Sequence, residues 1–168
     1  MRRRLLAATT ATVAVTVALA LRPSAAPQAG PPPPPPPPQA PTGTGDVTNL
    51  TPALRRSVDL AIAAARADGV ELRVTSGWRS RDHQQRLFEA AVAKYGSASV
   101  ARRWVLPPNE SAHVRGEAVD VGPPEGAAWL ESHGVRFGLC RRYANEPWHF
   151  ERLAGAVGSS CPPMEPHA

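Results

Sequence analysis

The sequence has 168 residues, 42% hydrophobic and 20% charged, with 20 prolines and two cysteines. Its 19 Lys and Arg exceed its 14 Asp and Glu, but Arg2, Arg3, Arg4 and Arg22 stand at the amino-terminal end, which leaves 15 against 14 for the remainder. A near-neutral body lacks the basic patch that follows a phosphate backbone, so the high isoelectric point is no sign of nucleic-acid binding.

Arg2 to Arg4 precede an apolar stretch, Leu5 to Leu21, and small residues follow at Ser24, Ala25 and Ala26. This is the pattern of an export signal over residues 1–26. The stretch also reaches the lower length limit of a spanning helix, so an uncleaved membrane anchor stays open as the alternative. In both cases the body is expected outside the cytoplasmic membrane, secreted or in the cell envelope, and touches the membrane only if the segment is retained. Residues 27–45 form a Pro-rich linker around eight consecutive prolines, Pro31 to Pro38. Proline fixes φ and removes the backbone donor, so the run predicts a stiff polyproline II spacer of roughly 25 Å.

Residues 46–163 are expected to form one small domain, followed by a short tail, 164–168. Thr51 and Pro52 read as an N-cap and first helical position, and Leu54, Val58, Ala61, Ile62 and Ala65 share one face until Gly69, which predicts a helix over 52–67. Leu72 to Ser76 alternates as a short strand that enters the turn Gly77-Trp78-Arg79-Ser80. Ser80 caps a second helix, 81–94, with Leu87, Ala90 and Ala91 inward. A short helix is expected over 97–105, capped by Ser97, and Pro107-Pro108-Asn109 forces irregular chain. A strand follows over 117–122, then a helix over 127–133 stopped by Gly134, and strands over 137–142 and 148–153. Helices first and most strands later predict an α+β domain, an antiparallel sheet flanked by helices. A monomer is expected.

Cys140 and Cys161 have no CxxC partner or nearby histidine in metal-binding spacing. In an exported chain an isolated pair reads as one disulfide, against the alternative of two unpaired thiols.

Two short motifs carry the chemistry: SAHVRGEAVD (Ser111 to Asp120) and EPWH (Glu146 to His149). His113, Asp120 and His149 are three ligands that leave one position of a zinc ion open for water, and Glu146 is a spare carboxylate able to take a proton. Strand alternation turns Val119 and Val121 to the core and Asp120 to a cleft, and Gly116 lets the chain fold back so that His113 converges on it. Residues three apart in a strand face opposite ways; Pro147 resolves this by leaving Glu146 in the preceding turn and His149 in the strand. Trp78, Trp104, Trp129 and Trp148 are expected in core or cleft walls, and His83, His133 and His167 need no function.

The set SGWRS with a following Gln, SAHVRGEAVD and EPWH resembles the VanY-type D-alanyl-D-alanine carboxypeptidases, within the zinc metallopeptidases that include lysostaphin-like enzymes and the hedgehog domain. The resemblance spans about 46–153. It implies a hedgehog/DD-peptidase-like fold, zinc on His113, Asp120 and His149, Glu146 as catalytic base, and Arg79 holding substrate and developing oxyanion. Gln84 and Ser111 match positions that line the substrate site. The implied reaction is zinc-dependent hydrolysis of the terminal D-Ala-D-Ala bond of peptidoglycan stem peptides. Trp78 replaces the family's usual tyrosine, and FGLCRRYANE lacks the longer insertion that many relatives carry before EPWH. A more open cleft leaves an L,D-carboxypeptidase, an L-Ala-D-Glu endopeptidase and a non-catalytic zinc-stabilised cell-wall-binding module as alternatives.

Overall fold

Thr51, Pro52 and Gly69 frame the first helix as the sequence predicts. In this computed structural model, which describes residues 46–168, helix α1 runs Pro52–Ala67. The Thr51 hydroxyl accepts the Leu54 N–H at 3.3 Å, and Gly69, at φ +74°, ends the helix. The export signal or anchor and the proline linker lie outside the described residues. Among the described residues no helix is long and apolar enough to cross a membrane.

After α1 come β1 (Arg73–Ser76), α2 (Arg81–Tyr95), α3 (Ala98–Ala101), α4 (Ala112–Arg115), β2 (Ala118–Gly122), α5 (Pro124–His133), β3 (Leu139–Arg141) and β4 (His149–Arg152). The strands form one sheet in the order β1-β2-β4-β3, every neighbouring pair antiparallel. This is the expected α+β domain, although helices and strands interleave instead of falling into two blocks.

Sheet register makes the site. Val119 lies opposite Phe150, and Val121 opposite Val74, on the face that packs against Leu54 and Val58 of α1 and Leu130 of α5. Phe150 is wholly buried, a contribution of roughly 1.5–3 kcal/mol. With a side-chain period of two, the same register puts Asp120 directly opposite His149 on the other face.

Several expected bounds are corrected. Helix α5 begins at Pro124, not Ala127, because proline needs no N–H in the first turn and fits there. The helix ends at His133 with Gly134 as its C-cap, as expected, but this glycine keeps right-handed dihedrals and leads into a 3₁₀ turn, Gly134–Phe137, ended by Gly138 at φ +73°. Phe137 therefore belongs to that turn, and β3 starts two residues later. The helix expected over 97–105 is the single turn of α3, and β2 and β4 are each shorter than expected. Ala90 is exposed, while Gln84 and Ala91 are the buried positions of α2, which faces the cleft more than the main core.

Cys140 and Cys161 form a disulfide across a sequence separation of 21. It anchors the tail beside the segment before EPWH, where the Ala144 N–H donates to the Glu165 carbonyl and the Glu165 N–H to the Arg142 carbonyl, each at 2.8 Å. In the chain-entropy view a loop of this length stabilises by about 3 kcal/mol. Cys161→Ser, or reduction, is expected to lower the thermal midpoint by roughly 10 °C. Calorimetric scans with and without reductant check this; an unchanged midpoint would show that the clamp carries no stability.

Candidate active site

His113 sits on α4, a single turn that sequence periodicity cannot reveal. Gly116 ends the turn at φ +70°, and a Cβ there would lie 2.5 Å from the Asn49 carbonyl oxygen, so only glycine lets the chain fold back against the start of α1. The Gly116 carbonyl in turn accepts the Thr51 N–H at 2.9 Å. Nδ1 of His113 lies 2.7 Å from the Gly77 carbonyl oxygen, to which only an N–H can bond. The proton is therefore on Nδ1, and Nε2 keeps its lone pair for the cleft.

That lone pair meets the other two expected ligands. His113 Nε2, Asp120 Oδ1 and His149 Nδ1 form a triangle whose three edges are each 3.2 Å. Tetrahedral ligands about 2.0–2.1 Å from an ion stand about 3.3–3.4 Å apart, so the spacing suits a small divalent metal. All three residues are buried, at 4%, 2% and 4% exposure. Two imidazoles and one carboxylate could hold a metal of the zinc class and leave a position open.

Glu146 lies between two turns, with Pro147 ahead of the strand, as the sequence predicts. Its Oε2 is 3.9 Å from His149 Nδ1, beside the triangle but outside it. Burial pushes its carboxyl up to about 7, with Asp120 adding to the rise while His149 and Arg79 oppose it. Such a carboxyl can both take and return a proton near neutrality. For the metal-free site, burial lowers His113, whereas on His149 burial is outweighed by hydrogen bonds to Asp120 and Glu151 and the group rises to about 9. Burial also opposes the Asp120 charge, but His113, His149 and Arg79 overcome it and hold the carboxyl well below the usual range.

Arg79 reaches the same carboxylate from the opposite side. Nη2 donates to Asp120 Oδ2 at 2.6 Å and to Ser76 Oγ at 2.9 Å, Nε also donates to Ser76, and Nη1 donates to Gln84 Oε1 at 3.3 Å. Of five N–H groups, one on Nη1 is left for anything in the cleft. Gln84 is buried at the cleft, donates one of its two amide N–H groups to the Leu106 carbonyl at 2.7 Å and fixes Arg79 through Oε1.

These residues line a cleft of about 430 Å³, together with Ser111, Trp104, Trp148, Tyr143 and Glu151. Trp129 is in the core, Trp78 packs against it, and His83 stands at the cleft, so the aromatic expectations hold while His83 is nearer the site than expected. Glu151 escaped the sequence reading. It follows His149 by two in β4, and that alternation was the available signal for its sharing the cleft face.

Residues 48–154 match the family described as VanY, D-alanyl-D-alanine carboxypeptidase. A D-alanyl-D-alanine carboxypeptidase of Enterococcus faecalis is 38% identical, over 52% of this chain and 42% of that protein, so the chain spans less than half the length of this relative. The vancomycin resistance D,D-pentapeptidase VanY of a VanB-type cassette, solved as a mutant in complex with Zn(II), is 30% identical with a TM-score of 0.59, over 65% of this chain and 74% of that one. VanYB in complex with D-alanine-D-alanine is 29% identical with a TM-score of 0.60, over 66% and 79%.

Proposed function

The chain belongs to the VanY D-alanyl-D-alanine carboxypeptidase family, and from that premise we propose that it is a zinc-dependent D,D-carboxypeptidase that removes the terminal D-alanine from peptidoglycan stem peptides. The observation that carries this reading is the 3.2 Å triangle of His113, Asp120 and His149 with the Glu146 carboxylate beside it. A purely structural metal site has no need of a buried base at its open side.

His113, Asp120 and His149 would hold the zinc. When bound, zinc supplies Lewis-acid chemistry, lowering the pKa of water and polarising a carbonyl. Glu146 Oε2 accepts the proton of the attacking water as the new C–O bond forms at the penultimate D-Ala carbonyl, and then delivers it to the leaving amine nitrogen as the C–N bond breaks. Arg79 steadies Asp120 through Oδ2 and turns its remaining Nη1–H and its charge toward the peptide's carboxylate or oxyanion. Ser111 and Gln84 complete the substrate side, Ser111 as a cleft wall and Gln84 by fixing Arg79. The Cys140–Cys161 disulfide supports work in an oxidising compartment, in keeping with an export signal and with peptidoglycan as partner.

Mass spectrometry of defined muropeptides, incubated with the zinc-loaded protein, tests the reading. Loss of one alanine from a pentapeptide, abolished by chelator and restored by zinc, is the expected result. Alanine loss only from a tetrapeptide, internal cleavage, chelator-insensitive turnover or no turnover would each overturn it.

A further inference from the structure

The two histidines of the triangle are oriented by different partners. His113 is held by a neutral backbone carbonyl, whereas His149 turns Nε2 to within 3.2 Å of Glu151 Oε1. A neutral imidazole has a single N–H, and the nitrogen that faces a metal must carry the lone pair. With Nδ1 toward Asp120 and His113, the proton belongs on Nε2 and requires an acceptor. Glu151 is that acceptor.

The surroundings of Glu151 leave its carboxylate to this task. Its register partners are Ala118 on β2 and Cys140 on β3; the alanine has no polar group, and the Cys140 sulfur is in the disulfide, so neither offers a competing donor. Its side chain is 14% exposed, and the Arg142 Nε stands 3.7 Å from its other oxygen. Arg142 also pairs with Glu165 of the tail that the disulfide clamps. A line of charges thus runs from Glu165 through Arg142 and Glu151 to the outer nitrogen of His149.

We propose that Glu151 is a positioning residue of the metal site: by accepting the Nε2–H of His149 it fixes the tautomer and ring orientation that present Nδ1 to the ion, and its charge strengthens that nitrogen as a donor. The inference rests on the metal-site reading above. Carboxylates hydrogen-bonded to ligating histidines govern metal affinity by about 10–100-fold in other sites.

The test compares Glu151→Met, which keeps side-chain volume without an acceptor, and Glu151→Gln, which keeps an acceptor without charge. Zinc and cobalt dissociation constants are measured by chelator competition, the Co(II) absorption spectrum is recorded, and each metal-free protein is checked by circular dichroism. E151M is expected to bind about 10–100-fold more weakly than the wild type, with an altered Co(II) spectrum and an unchanged metal-free fold, and E151Q to fall between. Wild-type affinity in a folded E151M overturns the proposal. Should E151M fail to fold, wild-type affinity in E151Q overturns it and weaker binding by folded E151Q supports it. A wild-type protein that binds neither ion overturns the metal-site reading itself, and this inference with it.

Discussion

Glu146→Gln is expected to lower kcat/KM on a D-Ala-D-Ala pentapeptide by about 10²–10⁴-fold while metal content and fold stay as in the wild type. Glutamine matches the volume of Glu146 and keeps an oxygen near His149, but it cannot take a proton from water or return one to the leaving nitrogen. The loss corresponds to about 3–5 kcal/mol of transition-state stabilisation, at about 1.4 kcal/mol per factor of ten. Retained metal follows from geometry, since the carboxylate stands 3.9 Å from His149 Nδ1 and outside the ligand triangle. The fold should tolerate the change because a buried carboxyl raised to about 7 already bears a solvation cost that an uncharged amide avoids. Steady-state kinetics beside metal analysis decide the matter. Turnover within tenfold of the wild type would remove Glu146 from the proton transfer, and loss of metal would make it a ligand instead.

How much of this was legible in the residues depends on how many local signals agreed. Helix α1 was readable because the Thr51 cap, Pro52, the apolar period and Gly69 all point to one element. Helix α4 was not, since four residues hold too little of a helical period to register, although Gly116 marked its end correctly. At α5 the expected start at Ala127 fell three residues late, because the helix begins at Pro124, and proline in a first helical turn is a start. The ligands could be named from residue type and strand alternation, and the prediction that Pro147 separates Glu146 from His149 holds in the structure. What the sequence could not convey is pairing across the fold. Arg79 meets Asp120 over 41 positions, and only the three-dimensional arrangement shows that most of its N–H groups are already committed. Glu151 was hidden for a related reason: a charged residue in a strand reads as solvated until its neighbour's imidazole is seen to turn toward it.

Asp120→Ala is expected to abolish both metal binding and turnover, because the residue serves two partners at once. Oδ1 is one corner of the ligand triangle, and Oδ2 is the anion that Arg79 meets at 2.6 Å. Without it, two histidines alone remain, too few for a closed or a catalytic site. The guanidinium, 17% exposed, loses its counter-charge. Removing one member of a buried pair costs about 3–5 kcal/mol in general. Here Ser76 and Gln84 still hold Arg79, and Asp120 sheds its own burial cost, so the metal-free domain should lose less than that. Zinc at about 100 times its dissociation constant stabilises a binding fold by about 2.7 kcal/mol, and this zinc-dependent rise in thermal midpoint should vanish in D120A. Asp120→Asn separates the two duties. The amide oxygen can accept from Arg79 and restore much of the metal-free stability, yet as a neutral donor it should leave metal affinity and activity far below the wild type. Metal stoichiometry and thermal scans with and without zinc check both variants. Full zinc binding by D120A would remove Asp120 from the ligand set, and equal metal-free stability of the two variants would show that the hydrogen bond to Arg79 at this position carries no stability.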